Sequence, residues 1–182
     1  MTRAQFEHVI AAAANVIDED EFMVIGSQAV LGSVPIAPAS MLVSMEADLY
    51  PVKNPGRAIE IDGALGDGSQ FHRTFGYYAH GVGPATAKPP SGWQDRLVTV
   101  VVEPRVRSKR QPVAYCLEIN DLVLSKLVPG RDRDIDYARE AAAHRLIDLG
   151  VMSERVDALP VSAGDQARIA GLIATFTTPP LS

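Results

Sequence analysis

The sequence predicts an α/β fold in which a mixed β-sheet flanked by helices comes first and a helical subdomain comes last. Three observations predict this order. Helical periodicity opens the chain, short apolar runs with strand-like alternation follow up to residue 119, and the pattern is again helical up to residue 176. We therefore place an α/β domain over residues 1–130 and a C-terminal helical subdomain, packed on it, over residues 131–182.

The composition is that of an ordinary globular protein. The 182 residues, 47% of them hydrophobic, supply enough apolar side chains for a substantial core. The single cysteine, Cys116, cannot form an internal disulfide, which favours a reducing cytosol. No uncharged apolar run reaches the roughly 18 residues that a membrane span needs, and no signal-peptide cleavage site follows the first helix. We expect a soluble, cytoplasmic protein, and the net charge of −5 restricts any nucleic-acid contact to a local surface.

The first predicted elements are a helix, a strand and a tight turn. Over residues 2–17 apolar side chains recur at spacings of three and four, which is typical of an amphipathic helix, and Thr2 is a suitable cap. The apolar run over residues 22–25 predicts a short strand that ends at Gly26, and a second helix is predicted to begin with Ser27 as its N-cap. The chain therefore forms a strand, a turn and a helix here.

Three further segments are predicted before residue 82. Residues 41–50 predict a strand whose second half alternates between polar and apolar side chains. Residues 58–62 also alternate, but the sequence around them suits a short helix equally well. The aromatic residues over residues 70–82 predict one or two strands that turn at Gly76.

The clearest strands are residues 97–102 and residues 113–119, which a basic loop joins as a hairpin. The basic residues of this loop are Arg105, Arg107, Lys109 and Arg110. A basic hairpin tip is usually only solvated, although this one could also grip an RNA backbone. Four helices are predicted after the hairpin: one from the N-cap Asn120 to Leu127, one over residues 134–149 closed by Gly150, and two over residues 152–158 and 163–176.

Two features of these elements can carry chemistry. A Gly-Ser pair at a strand-to-helix turn, here Gly26 and Ser27, presents backbone N–H groups and a hydroxyl where an anion such as a triphosphate is favoured. Glu46 and Asp48 lie on one face of their strand, roughly 6–7 Å apart along it, and carboxylates are the ligands that magnesium and manganese prefer. Each feature alone also has a structural interpretation, as a helix cap and as a solvated strand face. Together they would converge on one nucleotide.

These features resemble the motif of the nucleotidyltransferase superfamily, a Gly-Ser or Gly-Gly after the first strand followed by an acidic pair with one residue between. The matching segments are residues 24–29 and residues 44–50. Residues 116–136 are similar to the "D-L, then K-L, then R-x-[KR]-D" segment of small bacterial nucleotidyltransferase-like proteins related to the AbiEii and MenT toxins of toxin–antitoxin operons. The resemblance covers about residues 20–145.

The resemblance implies roles for individual residues. The triphosphate would be held by Gly26 and Ser27, the metal by Glu46 and Asp48, and a phosphate oxygen by Lys126. Arg131 and Asp134 occupy the positive and acidic places of the later motif, with Asp134 alternatively orienting Lys126 or Arg131. The third acid of the superfamily is left open between Asp134, Glu118 and Asp121, of which the last two could equally be a helix cap or a surface charge.

The resemblance also implies a reaction. A nucleoside monophosphate would pass from an NTP to an acceptor hydroxyl, with Mg²⁺ or Mn²⁺ as cofactor. The toxin group implies an RNA acceptor, especially the tRNA 3′ end, with the basic loop as its local footprint and an antitoxin as a partner; a protein side chain or a small molecule such as an aminoglycoside is the alternative. The first acid is Glu where the family usually has Asp, and eighteen residues separate Ser27 from Glu46, more than is common. These departures motivate a second hypothesis, a catalytically silent nucleotidyltransferase-fold protein that binds a nucleotide or a toxin–antitoxin partner.

The four histidines show no close pairing typical of a metal site. They are His8, His72, His80 and His144. Zinc-dependent hydrolysis therefore has little support, and we interpret each histidine as structural.

Overall fold

A computed structural model describes residues 1–103 and 110–177 of the chain. In these two ranges the strands are β1 (Glu21–Val24), β2 (Glu46–Pro51), β3 (Tyr78–Gly81), β4 (Val98–Val101) and β5 (Val113–Cys116). The α-helices in the same ranges are α1 (Arg3–Ile17), α2 (Val30–Ser33), α3 (Ala58–Leu65), α4 (Gln70–Phe75), α5 (Ile119–Leu127), α6 (Asp132–Ala143), α7 (Leu149–Arg155) and α8 (Ala163–Thr175).

The strands form one mixed sheet in the order β3-β2-β1-β5-β4. The central strand β1 is antiparallel to β2 and parallel to β5, while β2 is parallel to β3 and β4 is antiparallel to β5. Side chains of β1 and β5 such as Phe22, Val24 and Cys116 are fully buried, because helices cover the sheet. The predicted α/β fold, a mixed sheet flanked by helices, is confirmed.

The first helix has the predicted stripe and the predicted cap. Its apolar side chains Phe6, Val9 and Ile10 are fully buried in the core. The N–H of Gln5 donates to the Thr2 hydroxyl, and the N–H of Thr2 donates to the Gln5 side chain. This reciprocal pair satisfies two backbone donors that a helix start otherwise leaves without partners.

Part of the aromatic segment is a helix, so the prediction of strands from residue 70 onward is wrong for its first half. The Ser69 hydroxyl accepts a hydrogen bond from the N–H of His72 and caps α4, which ends at Gly76 with a φ of 74°. Phe71 and Phe75, four residues apart, lie on one face and both contact His8. Aromatic residues favour strands, but here the helical spacing of the two phenylalanines and the serine cap favour a helix.

In two neighbouring segments the structure decides an open alternative and corrects a boundary. The alternating residues 58–62 belong to helix α3, which settles the alternative that the sequence left open. The strand predicted over residues 41–50 begins only at Glu46, because backbone carbonyls before it accept hydrogen bonds from groups outside the sheet. The N-terminal ammonium donates to the carbonyls of Leu42 and Ser44. The Gln28 amide also donates to the carbonyl of Ser44.

The helices after β5 begin at other caps than predicted. The Glu118 carboxylate accepts from the N–H groups of Asn120 and Asp121, so Glu118, and not Asn120, caps α5. The helix predicted over residues 134–149 ends earlier, at Ala143, and Gly150 lies inside the next helix, α7. The Asn120 cap is therefore wrong, whereas a cap role for Glu118 was one of the alternatives that the sequence left open.

The last helices contact the first part of the chain directly. The Tyr137 hydroxyl donates to the carbonyl of Ser27, and Arg168 donates to the carbonyl of Val128. The division between residues 1–130 and 131–182 stays a prediction. Among the described residues, no helix combines the length and the apolar character needed to cross a membrane.

Candidate functional site

The pairing of β2 with β3 sets the surroundings of the acidic pair. In the parallel register Glu46 lies opposite Tyr78, and Asp48 lies opposite His80. The Tyr78 hydroxyl donates to Glu46 Oε2 at 3.0 Å, and His80 Nδ1 lies 2.7 Å from Asp48 Oδ1. Burial, together with the hydrogen bond to Glu46, raises the pKa of Tyr78 to about 12, so its hydroxyl stays a donor.

Glu46, Asp48 and His80 form a cluster that fits a divalent metal ion. Each offers one ligand atom, and these atoms all lie within 4.8 Å of one another. Two carboxylate oxygens suit magnesium, and manganese accepts an imidazole nitrogen as well. The side chains are 20% exposed for Asp48 and 48% exposed for His80, so the cluster is open to solvent on one side.

Sequence reasoning interpreted His80 as structural and so missed its place in this cluster. His80 is 32 residues from Asp48, and only the pairing of two strands brings them together. The alternation of Tyr78 and His80 at a spacing of two was the signal available, because it places both on one strand face.

Gly26 lies against the Asp48 side chain. A Cβ added to Gly26 would fall 1.8 Å from Asp48 Oδ2, and the N–H of Ile25 donates to the carbonyl of Asp48. Only glycine therefore leaves room for the carboxylate at this turn. Burial raises the pKa of the Asp48 carboxyl, the hydrogen bond from His80 opposes this shift, and the nearby Glu46 adds to it.

Ser27 is not the helix cap that the sequence predicted. A 3-10 turn runs over Ser27–Ala29, Gly26 takes the cap position, and α2 is only four residues long. A helix this short has little dipole to attract an anion. Ser27 lines the cleft, and in the described part of the chain its hydroxyl makes no hydrogen bond. Binding of a phosphate at this turn would therefore depend on the Ser27 hydroxyl and the backbone N–H groups.

Lys126, Arg131 and Asp134 form one ion cluster beside the acidic pair. Asp134 is almost fully buried; its two oxygens lie 3.6 Å from Lys126 Nζ and 2.6 Å from Arg131 Nε. Lys126 Nζ also lies 4.8 Å from the centroid of the Tyr137 ring. Burial lowers the pKa of Lys126, while the nearby Asp134 and Asp48 oppose that shift. The geometry supports the alternative in which Asp134 orients the two cations.

Glu118 and Asp121 lie in a separate ion network. Arg155 donates to Glu118 at 2.8 Å and to Asp121 at 2.9 Å, and Arg96 donates to Asp121 at 2.7 Å. Asp121 is fully buried, so these pairs fix α5 to α7 and to the segment before β4. Within the described ranges, the group of acids and histidines able to hold a metal ion contains neither residue.

The turn, the acidic pair and Lys126 open onto one cleft with two adjoining cavities. The cavities have volumes of about 690 and 760 Å³. Both are lined by Asp48, Thr86, Lys126 and Arg131. Gly26 lines the smaller cavity, whereas Ser27, Glu46 and His80 line the larger one.

Arg110, the described basic residue of the hairpin loop, is distant from this cleft along the sheet. Arg110 makes ion pairs with Asp18 and Asp20, just before β1 begins. Because Glu21 pairs with Val113, this is the opposite end of β1 from Gly26. The other basic residues predicted for the loop, Arg105, Arg107 and Lys109, lie outside the described residues.

A mixed α/β sheet with a Gly-Ser turn, an acidic strand pair and a partly buried lysine in one cleft is the architecture of a nucleotidyltransferase-like protein. The model of the family described as "Nucleotidyltransferase of unknown function (DUF6036)" matches residues 4–176. The chain belongs to this family. No curated protein and no solved structure matches the chain.

Proposed function

We propose that the chain is a metal-dependent nucleotidyltransferase that transfers a nucleoside monophosphate from an NTP to an acceptor hydroxyl. Membership of the family supports the general reaction type. The observation that carries the proposal is that the acidic pair, Ser27 and Lys126 line one cleft. Phosphoryl chemistry needs mainly positioning and countercharge, and these residue types supply both.

In this reaction the acceptor oxygen forms a bond to the α-phosphorus of the NTP. The bond from that phosphorus to the bridging oxygen breaks, and pyrophosphate leaves with the electron pair. A base must take the acceptor proton, and we assign this role to Nε2 of His80, whose Nδ1 faces Asp48 at 2.7 Å. In this role His80 is not a metal ligand, and the ion is left to the two carboxylates. Imidazole is the side chain most often used as a general base.

Glu46 and Asp48 would hold a magnesium or manganese ion, which supplies countercharge to the phosphate oxygens. Ser27 would donate its hydroxyl hydrogen to the triphosphate. Lys126 and Arg131 would neutralise the leaving phosphates, and their pairing with Asp134 orients both before substrate arrives. Groups fixed in advance lose little free energy to reorganisation during the reaction.

The experiment is incubation with labelled NTPs, magnesium and candidate acceptors including total RNA. We expect Glu46→Gln and Asp48→Asn to lower label transfer by about 100-fold or more. The matched control is Glu154→Gln, which removes an exposed acid of α7 that lines neither cavity. Equal labelling by the wild type and both cleft variants would refute this site.

The acceptor is proposed from the toxin resemblance alone. By that resemblance it is an RNA end, such as the tRNA 3′ end, and an antitoxin would be the regulatory partner. The described end of the basic loop, Arg110, lies at the other end of β1 from the cleft, so it gives this acceptor no direct support. Recovery of the label on RNA, on protein or on a small molecule separates the three acceptor classes.

A second candidate function is a catalytically silent nucleotide-binding protein. Tyr78 already donates to Glu46, and His80 already contacts Asp48, so each acid has a protein partner without a metal ion. The test is thermal denaturation with each NTP, with and without magnesium. A raised melting temperature, combined with no labelled product under metal, selects the silent protein; labelled product excludes it.

A further inference from the structure

The two cavities of the cleft differ in charge beyond the residues that they share. We name them by a residue that each has alone: the Lys88 cavity, of about 690 Å³, and the Glu140 cavity, of about 760 Å³. The charged residues that the Lys88 cavity adds to the shared ones are Lys88 and Asp165. The charged residues that the Glu140 cavity adds are Glu46, Asp134, Asp136, Glu140 and Arg133.

Lys88 is a cation whose charge acts on Asp165, a carboxylate that lines the same cavity. In the described parts of the chain, however, no carboxylate lies within ion-pair distance of its ammonium. Its backbone N–H donates to the Ser125 hydroxyl at 2.9 Å, and Ser125 directly precedes Lys126 in α5. The loop that carries Lys88 is therefore fixed to the helix that carries the phosphate-binding lysine.

The Glu140 cavity is unfavourable for a polyanion. Beyond the shared residues it has four carboxylates against one cation, Arg133. The negative charge of Asp134 is neutralised by its ion pairs with Lys126 and Arg131. Asp136 and Glu140 add further negative charge to the lining of this cavity. With the shared residues included, the Glu140 cavity has five carboxylates against three cations, so a triphosphate would meet repulsion there. The Lys88 cavity has three cations, Lys88, Lys126 and Arg131, against two carboxylates, Asp48 and Asp165, and is the more favourable one for a polyanion.

We propose that the donor NTP lies in the Lys88 cavity with Lys88 as a further phosphate-binding residue, and that the Glu140 cavity receives the acceptor. This assignment rests on the proposed nucleotidyl transfer. The triphosphate then lies at the junction of the two cavities, where Asp48, Lys126 and Arg131 line both. Lys88 faces this junction from one cavity, and Ser27 and Glu46 face it from the other. The acceptor approaches from the side of His80, which lines the Glu140 cavity alone.

Binding of the α,β-methylene analogues of the four NTPs with magnesium, measured by titration calorimetry, tests the assignment. We expect Lys88→Ala to raise the Kd by about tenfold or more, since it removes a charged hydrogen-bond donor. Lys88→Arg keeps the charge and should restore most of the lost affinity. Arg133→Ala removes one cation from the other cavity and is expected to leave the Kd unchanged. Lys53→Ala removes an exposed lysine that lines neither cavity and is the general control.

The outcomes separate the two proposals. If the wild type binds an analogue and Lys88→Ala binds it equally well, the donor assignment is wrong and nucleotidyl transfer stands. Weaker binding by Arg133→Ala with no effect of Lys88→Ala would place the donor in the Glu140 cavity. If the wild type binds none of the four analogues, the nucleotidyl-transfer proposal fails together with the assignment.

Discussion

At the scale of single residues, Gly26 connects the turn after β1 with the acidic pair of β2. Its backbone lies so close to Asp48 that the carboxylate occupies the space of a missing Cβ. The sequence motif suggested that glycine serves the approach of a phosphate, whereas the structure shows that it first serves the approach of a protein carboxylate. One residue therefore decides whether the acid points into the cleft.

Gly26→Ala is expected to destabilise the fold by about 1–3 kcal/mol, because the added methyl group must displace Asp48. We also expect it to remove metal-dependent transfer. Gly56→Ala is the matched control, since a Cβ there meets no atom within 4 Å and Gly56 has no positive φ. Urea unfolding of the two variants measures the difference. Equal free energies of unfolding for Gly26→Ala and Gly56→Ala would contradict this role of Gly26.

In the absence of a metal ion, the ionised carboxylate of Asp48 is expected to destabilise the folded protein. Burial raises the pKa of its carboxyl, so the folded state binds the proton more tightly than the unfolded chain does. The resulting stability is present below the ordinary pKa of 3.8 and is lost as the pH rises through the folded-state pKa. In chelator at about pH 7, Asp48→Asn should thus melt at a higher temperature than the wild type.

The same comparison below pH 3.8, where the wild-type carboxyl is protonated in both states, should bring the two melting temperatures together. Asp95→Asn, at an exposed position, is the control for loss of one negative charge. A lower melting temperature of Asp48→Asn at about pH 7 would show that the ionised carboxylate stabilises the metal-free fold.

At the scale of elements, the ion network of Glu118, Asp121, Arg96 and Arg155 holds helix α5 in place. Asp121 is fully buried, and Arg155 supplies one of its two cationic partners. Since Lys126 and Ser125 lie on the same helix, this network positions the lysine of the cleft and the contact to Lys88. These acids therefore act through the helix that they anchor.

Arg155→Ala is expected to destabilise the protein by about 3 kcal/mol or more, because it leaves a buried carboxylate partly without countercharge. Arg139→Ala removes an arginine whose pair with Asp136 is exposed on both sides, and it should cost less than about 1 kcal/mol. Thermal or urea denaturation of both variants gives the comparison. Losses of similar size would mean that the network contributes little.

Local sequence patterns predicted part of this arrangement. The Thr2 cap and the shared face of Glu46 and Asp48 depend on residues two or three positions apart, so periodicity and cap chemistry suffice. The contact of His80 with Asp48 depends on which strands pair, which no local pattern encodes. Helix α4 was not predicted, because its aromatic residues favour strands. The Ser69 cap stabilises the helix instead.

At the scale of the whole molecule, strand order explains why one cleft gathers residues from distant parts of the chain. The parallel pair β1 and β5 carries the Gly-Ser turn and the start of α5 to the same end of the sheet. The neighbouring strands β2 and β3 add the acids and His80. The mixed sheet and the helical end of the chain followed from composition and periodicity, whereas the strand order β3-β2-β1-β5-β4 required the structure.

The proposed function requires that the acidic pair and the Gly-Ser turn hold one metal-bound triphosphate. A crystal of the protein soaked with manganese and an α,β-methylene NTP tests it directly through the anomalous scattering of manganese. We expect a manganese peak at the carboxylates of Glu46 and Asp48, with triphosphate density that reaches Ser27 and Lys126. An ordered nucleotide or manganese ion bound elsewhere, with Glu46 and Asp48 still joined only to Tyr78 and His80, would contradict it.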